Sequence, residues 1–246
     1  MKIYSTIQIG DYHQNYCEDS LYIGEYGKNK IICAVMDGCT MAIESHFAST
    51  LVSKILKKIC VEKGYKEFID QNSKTENIEE NLKSILRDLL SELKLIKNQL
   101  MLDEKELLTT LIIIILDKKN EEGIVLAIGD GFVNINGEIT EFEQDNKPDY
   151  LGFHLTENFE TFYNSQTQKI KFNKISNLTI STDGIFTFEK LAQKKNNGEI
   201  DVINYLTIDN SNSEKEEMLT LKLKFLQNEF GLKPTDDFSM IRITEK

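Results

Sequence analysis

The chain has 246 residues, 40% of them apolar, and a formal net charge of −11. That is enough apolar material for a sizeable core, and an acidic balance without a basic stripe or Lys/Arg block argues against a nucleic-acid backbone or an anionic membrane as partner. The longest aliphatic run, LIIIIL at 111–116, is six residues, far short of the ~20 a membrane-spanning helix needs.

Strand-like segments rich in Ile, Val, Tyr, Phe and Thr are expected near 3–9, 20–26 and 31–36, the last two forming a hairpin over Gly27 to Lys30. A helix over 41–59 follows, then a strongly amphipathic one over 76–101, where Ile78, Leu82, Ile85, Leu89, Leu93, Ile96 and Leu100 recur at three- and four-residue steps. Further strands are expected at 109–116, 124–128, 132–135 and 138–142, the last pair turning over Asn136-Gly137, and at 169–172, 177–182 and 238–243. A third helix is read over 213–231, with acids in its first turns and Gly231 at its end. Short hairpins between a few long helices predict mostly antiparallel sheets covered by helices. No Pro-rich linker, repeat or low-complexity tract divides the chain, so a single domain over 1–246 is expected. Cys17, Cys33, Cys39 and Cys60 show no CxxC spacing and the first residues lack a signal-like apolar stretch, which predicts a cytoplasmic protein.

Three apolar runs end on Asp-Gly, at Asp37-Gly38, Asp130-Gly131 and Asp183-Gly184. Asp-Gly is a common hairpin turn; the alternative is a set of carboxylates gathered at one sheet edge. With residues 27–30 as the hairpin loop, Tyr26 faces Ile31 and Ser20 faces Asp37, so Glu18 and Asp19 arrive beside Asp37 and Gly38. Asp183 leaves one strand while Asp236 and Asp237 enter another, and antiparallel neighbours place them at one edge. Carboxylates so close repel one another unless a cation sits among them. All candidate ligands are oxygens, which suits Mg²⁺ or Mn²⁺ and disfavours zinc. Two such ions ~3.5–4 Å apart acidify a shared water and orient a phosphoryl group for in-line attack, making phosphate-ester hydrolysis the leading chemistry.

These motifs resemble, in order, those of the metal-dependent type 2C serine/threonine protein phosphatases: YCEDSLYIG (16–24), AVMDGCT (34–40), LLTTLIIIIL (107–116), AIGDGFVNINGEI (127–139), LTISTDGIF (178–186) and DDFSMIRI (236–243). The resemblance implies an α+β fold, a four-layer α-β-β-α sandwich of two mostly antiparallel sheets flanked by helices. It implies two Mg²⁺ or Mn²⁺ ions, with a third possible. Asp37 would bridge the pair, the Gly38 carbonyl would bind one ion, and Asp183 and Asp236 would complete the other. Glu18 and Asp19 match acids acting directly or through water, and Asp130 matches an acid near the third ion. The implied substrate is a protein phosphorylated on serine or threonine.

The departures matter equally. Where the family usually grips phosphate with an arginine, this chain has Gln14, beside His13; glutamine brings neither charge nor a bidentate fork. Where eukaryotic members carry a histidine proposed as general acid, it has Cys39, and the usual Gly-Gly after Asp-Gly is missing. Gln14 or His13 is therefore expected near the phosphate, with His46 and His154 read as surface or satisfied core residues. Segment 144–166 is expected to form a short ordered flap beside the catalytic edge. A catalytically inactive scaffold that binds metal or a phosphoprotein is the competing expectation, and a two-metal nuclease a weaker one.

Overall fold

A computed structural model describes residues 1–42, 44–69, 77–143, 149–191, 196 and 198–245. Two five-stranded sheets form its centre. One has the order β2 (Ser20–Tyr26), β3 (Lys30–Met36), β4 (Leu111–Asp117), β5 (Glu122–Ile128), β8 (Lys169–Asn173). The other runs β1 (Lys2–Gln8), β12 (Phe238–Thr244), β9 (Asn177–Ser181), β6 (Gly131–Ile135), β7 (Glu138–Phe142), and every neighbouring pair is antiparallel.

Alternation along β3 shows how the layers are made. Ile31, Cys33 and Val35 point into the space between the sheets, where they meet Leu178, Ile180, Ile241 and Ile243 of the facing sheet. Ile32, Ala34 and Met36 point the other way, under α1 (Ser45–Ile69) and α2 (Ile78–Leu100). Because both faces are covered, β4 reads as an unbroken apolar run rather than an alternating one. The second sheet's outer face buries Tyr4, Phe132, Phe238 and Met240 beneath α4 (Val202–Thr207) and α5 (Met218–Phe225). The layer order is thus helix, sheet, sheet, helix.

Helix α2 follows its sequence pattern closely. Leu82, Ile85, Leu86 and Leu89 are fully buried, each worth about 1.5–3 kcal/mol by the burial scale, and the Asn77 side chain caps the helix by accepting the Glu80 N–H at 2.8 Å. Helix α1 starts later than the expected 41 and runs ten residues past 59, to Ile69. The expected helix over 213–231 begins only at Met218, ends in a π-helical turn at Leu226–Phe230, and stops on Gly231 at φ 69° as anticipated. Short elements were absent from the sequence reading: α3 (Phe159–Ser165), α4, and the pair β10 (Phe188–Lys190) and β11 (Leu232–Pro234).

The first hairpin corrects the expected register by one residue. Tyr26 pairs with Lys30 and Ser20 with Met36, because Gly27 takes a left-handed conformation (φ 60°) and shortens the loop to Gly27-Lys28-Asn29. Past the strand ends the Gly38 N–H reaches the Glu18 carbonyl at 3.2 Å, so the neighbourhood of Glu18, Asp19, Asp37 and Gly38 survives the correction. Residues 144–148 of the expected flap lie outside the described residues. Residues 149–166 are docked: Leu151, Leu155, Phe162 and Tyr163 are buried in the core shared with α1 and α2.

Candidate metal centre

Both sheets present the same edge to one place. β3 ends at Met36 and β4 begins at Leu111, and the backbone of Asp37 is clamped between them: its N–H donates to Thr110 Oγ1 at 3.1 Å, while its carbonyl accepts from the Thr110 N–H at 2.9 Å and from Thr109 Oγ1 at 2.8 Å. In the second sheet, β9 ends at Ser181 beside Met240 of β12, so Asp183 emerges next to Asp236 and Asp237. Residues 129–130 are the crossover between β5 of the first sheet and β6 of the second, which inserts Asp130 between the two groups.

The electrostatics show which acids meet. Burial first, then the charges of Asp19, Asp183 and Asp236, hold the Asp37 carboxyl well above the usual range. Burial and the charges of Asp236 and Asp130 push Asp183 up to about 6. Asp19 is pushed up to about 8, chiefly by burial and by the Asp237 and Asp183 charges, against the stabilising bond from Thr182. Thr182 Oγ1 donates to Asp19 Oδ2 at 2.6 Å, and among the described residues the buried Asp19 Oδ1 has no hydrogen-bond partner. Glu18 is buried, and Thr40 Oγ1 donates to its Oε2 at 2.9 Å.

Asp237 plays a different part from Asp236. Its carboxylate accepts the Gly10 N–H at 2.7 Å and the Glu18 N–H, and stands 3.0 Å from His13 Nδ1, fastening the 10–18 loop to β12. The other ring nitrogen of His13 is 3.6 Å from Asp236 Oδ1. Burial alone would lower the His13 pKa, but the bond to Asp237 and the charges of Asp237, Glu18 and Asp236 raise it overall. Gln14 is exposed on the same loop. His46 stacks on the exposed Tyr16 with ring centroids 4.5 Å apart, and His154 is held by Asp149 and Glu157.

Gly184 is there for space. A Cβ on it would lie 1.9 Å from the Asp237 carbonyl oxygen, so only glycine lets the turn after Asp183 pass under the start of β12. The pairs Thr182/Asp19 and Thr40/Glu18 and the clamping role of Asp237 were not read from the sequence. The Asp236-Asp237 doublet was the one available signal for the last.

The donor set fits hard divalent cations. It consists of carboxylates and carbonyls, one of them the partnerless Asp19 oxygen, and among the described residues no lysine or arginine pairs with Glu18, Asp19, Asp37, Asp183, Asp236 or Asp237. Among the described residues no three His, Cys, Asp or Glu side chains are grouped tightly enough to hold one ion by themselves.

A sandwich of two antiparallel sheets with helices on both outer faces and acids converging at one edge defines an α+β protein. Its family is shown directly: the model of the protein phosphatase 2C family matches residues 10–223, and the chain belongs to that family. Solved structures agree in fold. A point variant of a bacterial serine phosphatase superposes with a TM-score of 0.65 at 15% identity, over 100% of this chain and 99% of that one. The catalytic domain of the serine/threonine protein phosphatase PstP, in complex with two manganese ions, gives 0.59 at 14% over 98% and 96%. RsbX in complex with magnesium gives 0.53 at 14% over 97% and 92%. No curated protein sequence matches the chain significantly.

Proposed function

We propose that the chain is a Mg²⁺- or Mn²⁺-dependent phosphoprotein phosphatase acting on phosphoserine or phosphothreonine. The observation that carries the reading is the convergence of Asp37 with Asp19, Asp183 and Asp236, whose charges act on the buried Asp37 carboxyl: four acids from distant parts of the chain share one edge, and among the described residues no lysine or arginine pairs with them. When bound, two divalent ions would supply a water acidified enough to attack phosphorus in line. Asp37, the Gly38 carbonyl, Asp183 and Asp236 would hold them. Glu18 and Asp19 would bind directly or through water, and Asp130 would serve a third ion.

The protein's own groups then have defined tasks. Thr109 and Thr110 fix the Asp37 backbone, and Thr182 fixes Asp19. Asp237 orients the His13 ring, and His13 or Gln14 would meet a phosphoryl oxygen. Free cysteines and the absence, among the described residues, of a helix long and apolar enough to cross a membrane support a cytoplasmic site of action. The acidic charge disfavours nucleic acid and membranes as partners.

Asp37→Asn tests the reading. Mn²⁺-dependent hydrolysis of p-nitrophenyl phosphate should fall at least a hundredfold while circular dichroism is unchanged; full activity in the variant, or wild-type activity indifferent to chelator, removes the mechanism. A second reading, a scaffold that binds without turnover, is favoured by Gln14 in place of arginine. Turnover of a phosphothreonine peptide by the wild type excludes it.

A further inference from the structure

Tyr150 stands where the departures from the family pattern leave a phosphoryl group least served. The segment carrying it is strapped along the acidic edge. The Leu151 N–H donates to the Thr109 carbonyl at 3.0 Å, and Cys39 donates its own N–H to the adjoining Leu108 carbonyl at 3.1 Å. Because Thr109 Oγ1 also holds the Asp37 carbonyl, Tyr150 and the 37–39 loop lie on opposite sides of one short stretch of backbone. On the far side the Asp149 carbonyl packs against Gly129, where a Cβ would sit only 2.6 Å away, next to Asp130. Tyr150 is thereby pinned between the Asp37 loop and the Asp130 crossover.

Its phenol is half-buried there. Burial, the neighbouring Cys39 thiol and the charges of Asp37 and Asp130 all favour its protonated form. The group is a neutral O–H donor among acids that can only accept. Packing does not require the hydroxyl, since the ring is already seated edge-to-face on Phe153 with centroids 5.6 Å apart.

The strap has its own fastening. His154 Nε2 lies 2.8 Å from both carboxylate oxygens of Asp149, its Nδ1 lies 3.2 Å from Glu157 Oε1, and its ring packs 4.5 Å from that of the buried Phe162. Asp149 is the residue directly before Tyr150, so the imidazole fixes where the phenol can go.

We infer that Tyr150 is a substrate-contacting residue whose O–H donates to a non-bridging oxygen of the phosphoryl group beside Cys39, and that His154 is a positioning residue acting through Asp149. This rests on the phosphatase reading above. A neutral donor supplies part of what the missing arginine and histidine would have given, without placing a further cation against the metal-binding acids.

The test uses the full chain with Tyr150→Phe, His154→Ala and the double variant. The readouts are kcat/KM for p-nitrophenyl phosphate with Mn²⁺, calorimetric binding of inorganic phosphate with Mg²⁺, and the thermal midpoint. Tyr150→Phe should lower kcat/KM and phosphate affinity by about ten- to a hundredfold, the worth of one hydrogen bond to a charged acceptor, with its midpoint unchanged. In the His154→Ala background the further loss from Tyr150→Phe should be less than about threefold, because the phenol is no longer held in place. Unchanged turnover and phosphate binding in Tyr150→Phe overturn the contact. A full additional loss in the double variant overturns the positioning role of His154. A wild type that binds phosphate but turns nothing over refutes the phosphatase reading and leaves Tyr150 to be decided by the binding arm; a wild type that binds no phosphate with Mg²⁺ overturns both.

Discussion

Adjacent aspartates at the start of β12 should separate cleanly into a fold residue and a chemical one. Asp237 is 2% exposed and gathers two backbone N–H groups and His13, whereas the Asp236 side chain is 46% exposed and carries only the looser 3.6 Å approach of His13 and the Asp237 N–H. In Asp237→Asn one oxygen still accepts, but the amide nitrogen must face an N–H donor, leaving a buried donor unsatisfied and removing the charge from the remaining bonds. Orphaning such a group costs about 1–3 kcal/mol, and the weakened charge-assisted bond adds to that, for about 3 kcal/mol in all. With a urea m-value of about 3 kcal/mol per M for a chain of this size, the unfolding midpoint should drop by about 1 M. Asp236→Asn orphans nothing buried and should hold its midpoint within about 0.3 M, a change of under 1 kcal/mol, while losing Mn²⁺-dependent hydrolysis. Both titrations belong in chelator, so that metal linkage does not enter. If Asp237→Asn keeps its midpoint yet loses hydrolysis as completely as Asp236→Asn, Asp237 is a ligand and the clamp is wrong.

Two further outcomes are expected. Gly184→Ala places a Cβ 1.9 Å from the Asp237 carbonyl, so the turn carrying Asp183 must shift; urea denaturation should show a loss of about 2 kcal/mol or more, of the order seen for overpacking, and hydrolysis should fall with it. His154 has a raised pKa: burial would lower it, but Asp149 and then Glu157 outweigh burial. A raised folded pKa makes its ion pairs fully stabilising below the unfolded value of about 6.5, and their contribution is lost as pH rises through the folded value. The difference in thermal midpoint between wild type and His154→Ala should therefore be largest near pH 5.5 and shrink towards pH 8.5; a difference constant across that span refutes the ion-pair account.

What the sequence disclosed, and what it concealed, divides along a physical line. Strands that bury a face announce themselves by β-branched and aromatic content, and β1 to β9 and β12 lie within two residues of where that content placed them. β10 and β11, three residues each, are too short to show a period. The far half of α1 was missed because it does not bury a stripe: Val61, Tyr65, Phe68 and Ile69 are exposed, so the pattern fades at Ile59 while the helix continues. The register slip turned on a glycine's backbone sign, which residue pattern alone cannot supply. Fully buried Lys222 and Arg242 were also illegible. Arg242 is kept by the Leu206, Ile208 and Asp209 carbonyls and the Asn177 and Asn210 side chains, partners that exist only once the region around the end of α4 has folded over β12. In the same way the approach of Asp37, Asp183 and Asp236 was readable from strand ends, but Tyr150, Thr182 and Thr40 reach the edge through contacts between distant segments.

None of the three Asp-Gly pairs is the hairpin corner that local statistics favour. Asp37-Gly38 leads away from β3 towards α1, Asp130-Gly131 joins one sheet to the other, and Asp183-Gly184 opens a single 3-10 turn. Their aspartates are brought together with Asp19 by the tertiary fold, against mutual repulsion and the cost of burial, both of which show in the raised carboxyls of Asp19, Asp37 and Asp183. A chain under selection for stability alone would replace them with asparagine and keep most of the hydrogen bonds. The fold instead fixes the Asp37 backbone with the hydroxyls of Thr109 and Thr110 and the neighbouring Glu18 and Asp19 carboxylates with those of Thr40 and Thr182, which organise acids without neutralising them. Local frustration sustained by such support belongs to functional sites, and on the proposed function a divalent cation would relieve it most directly, its binding energy then coupling to the stability of both sheet edges.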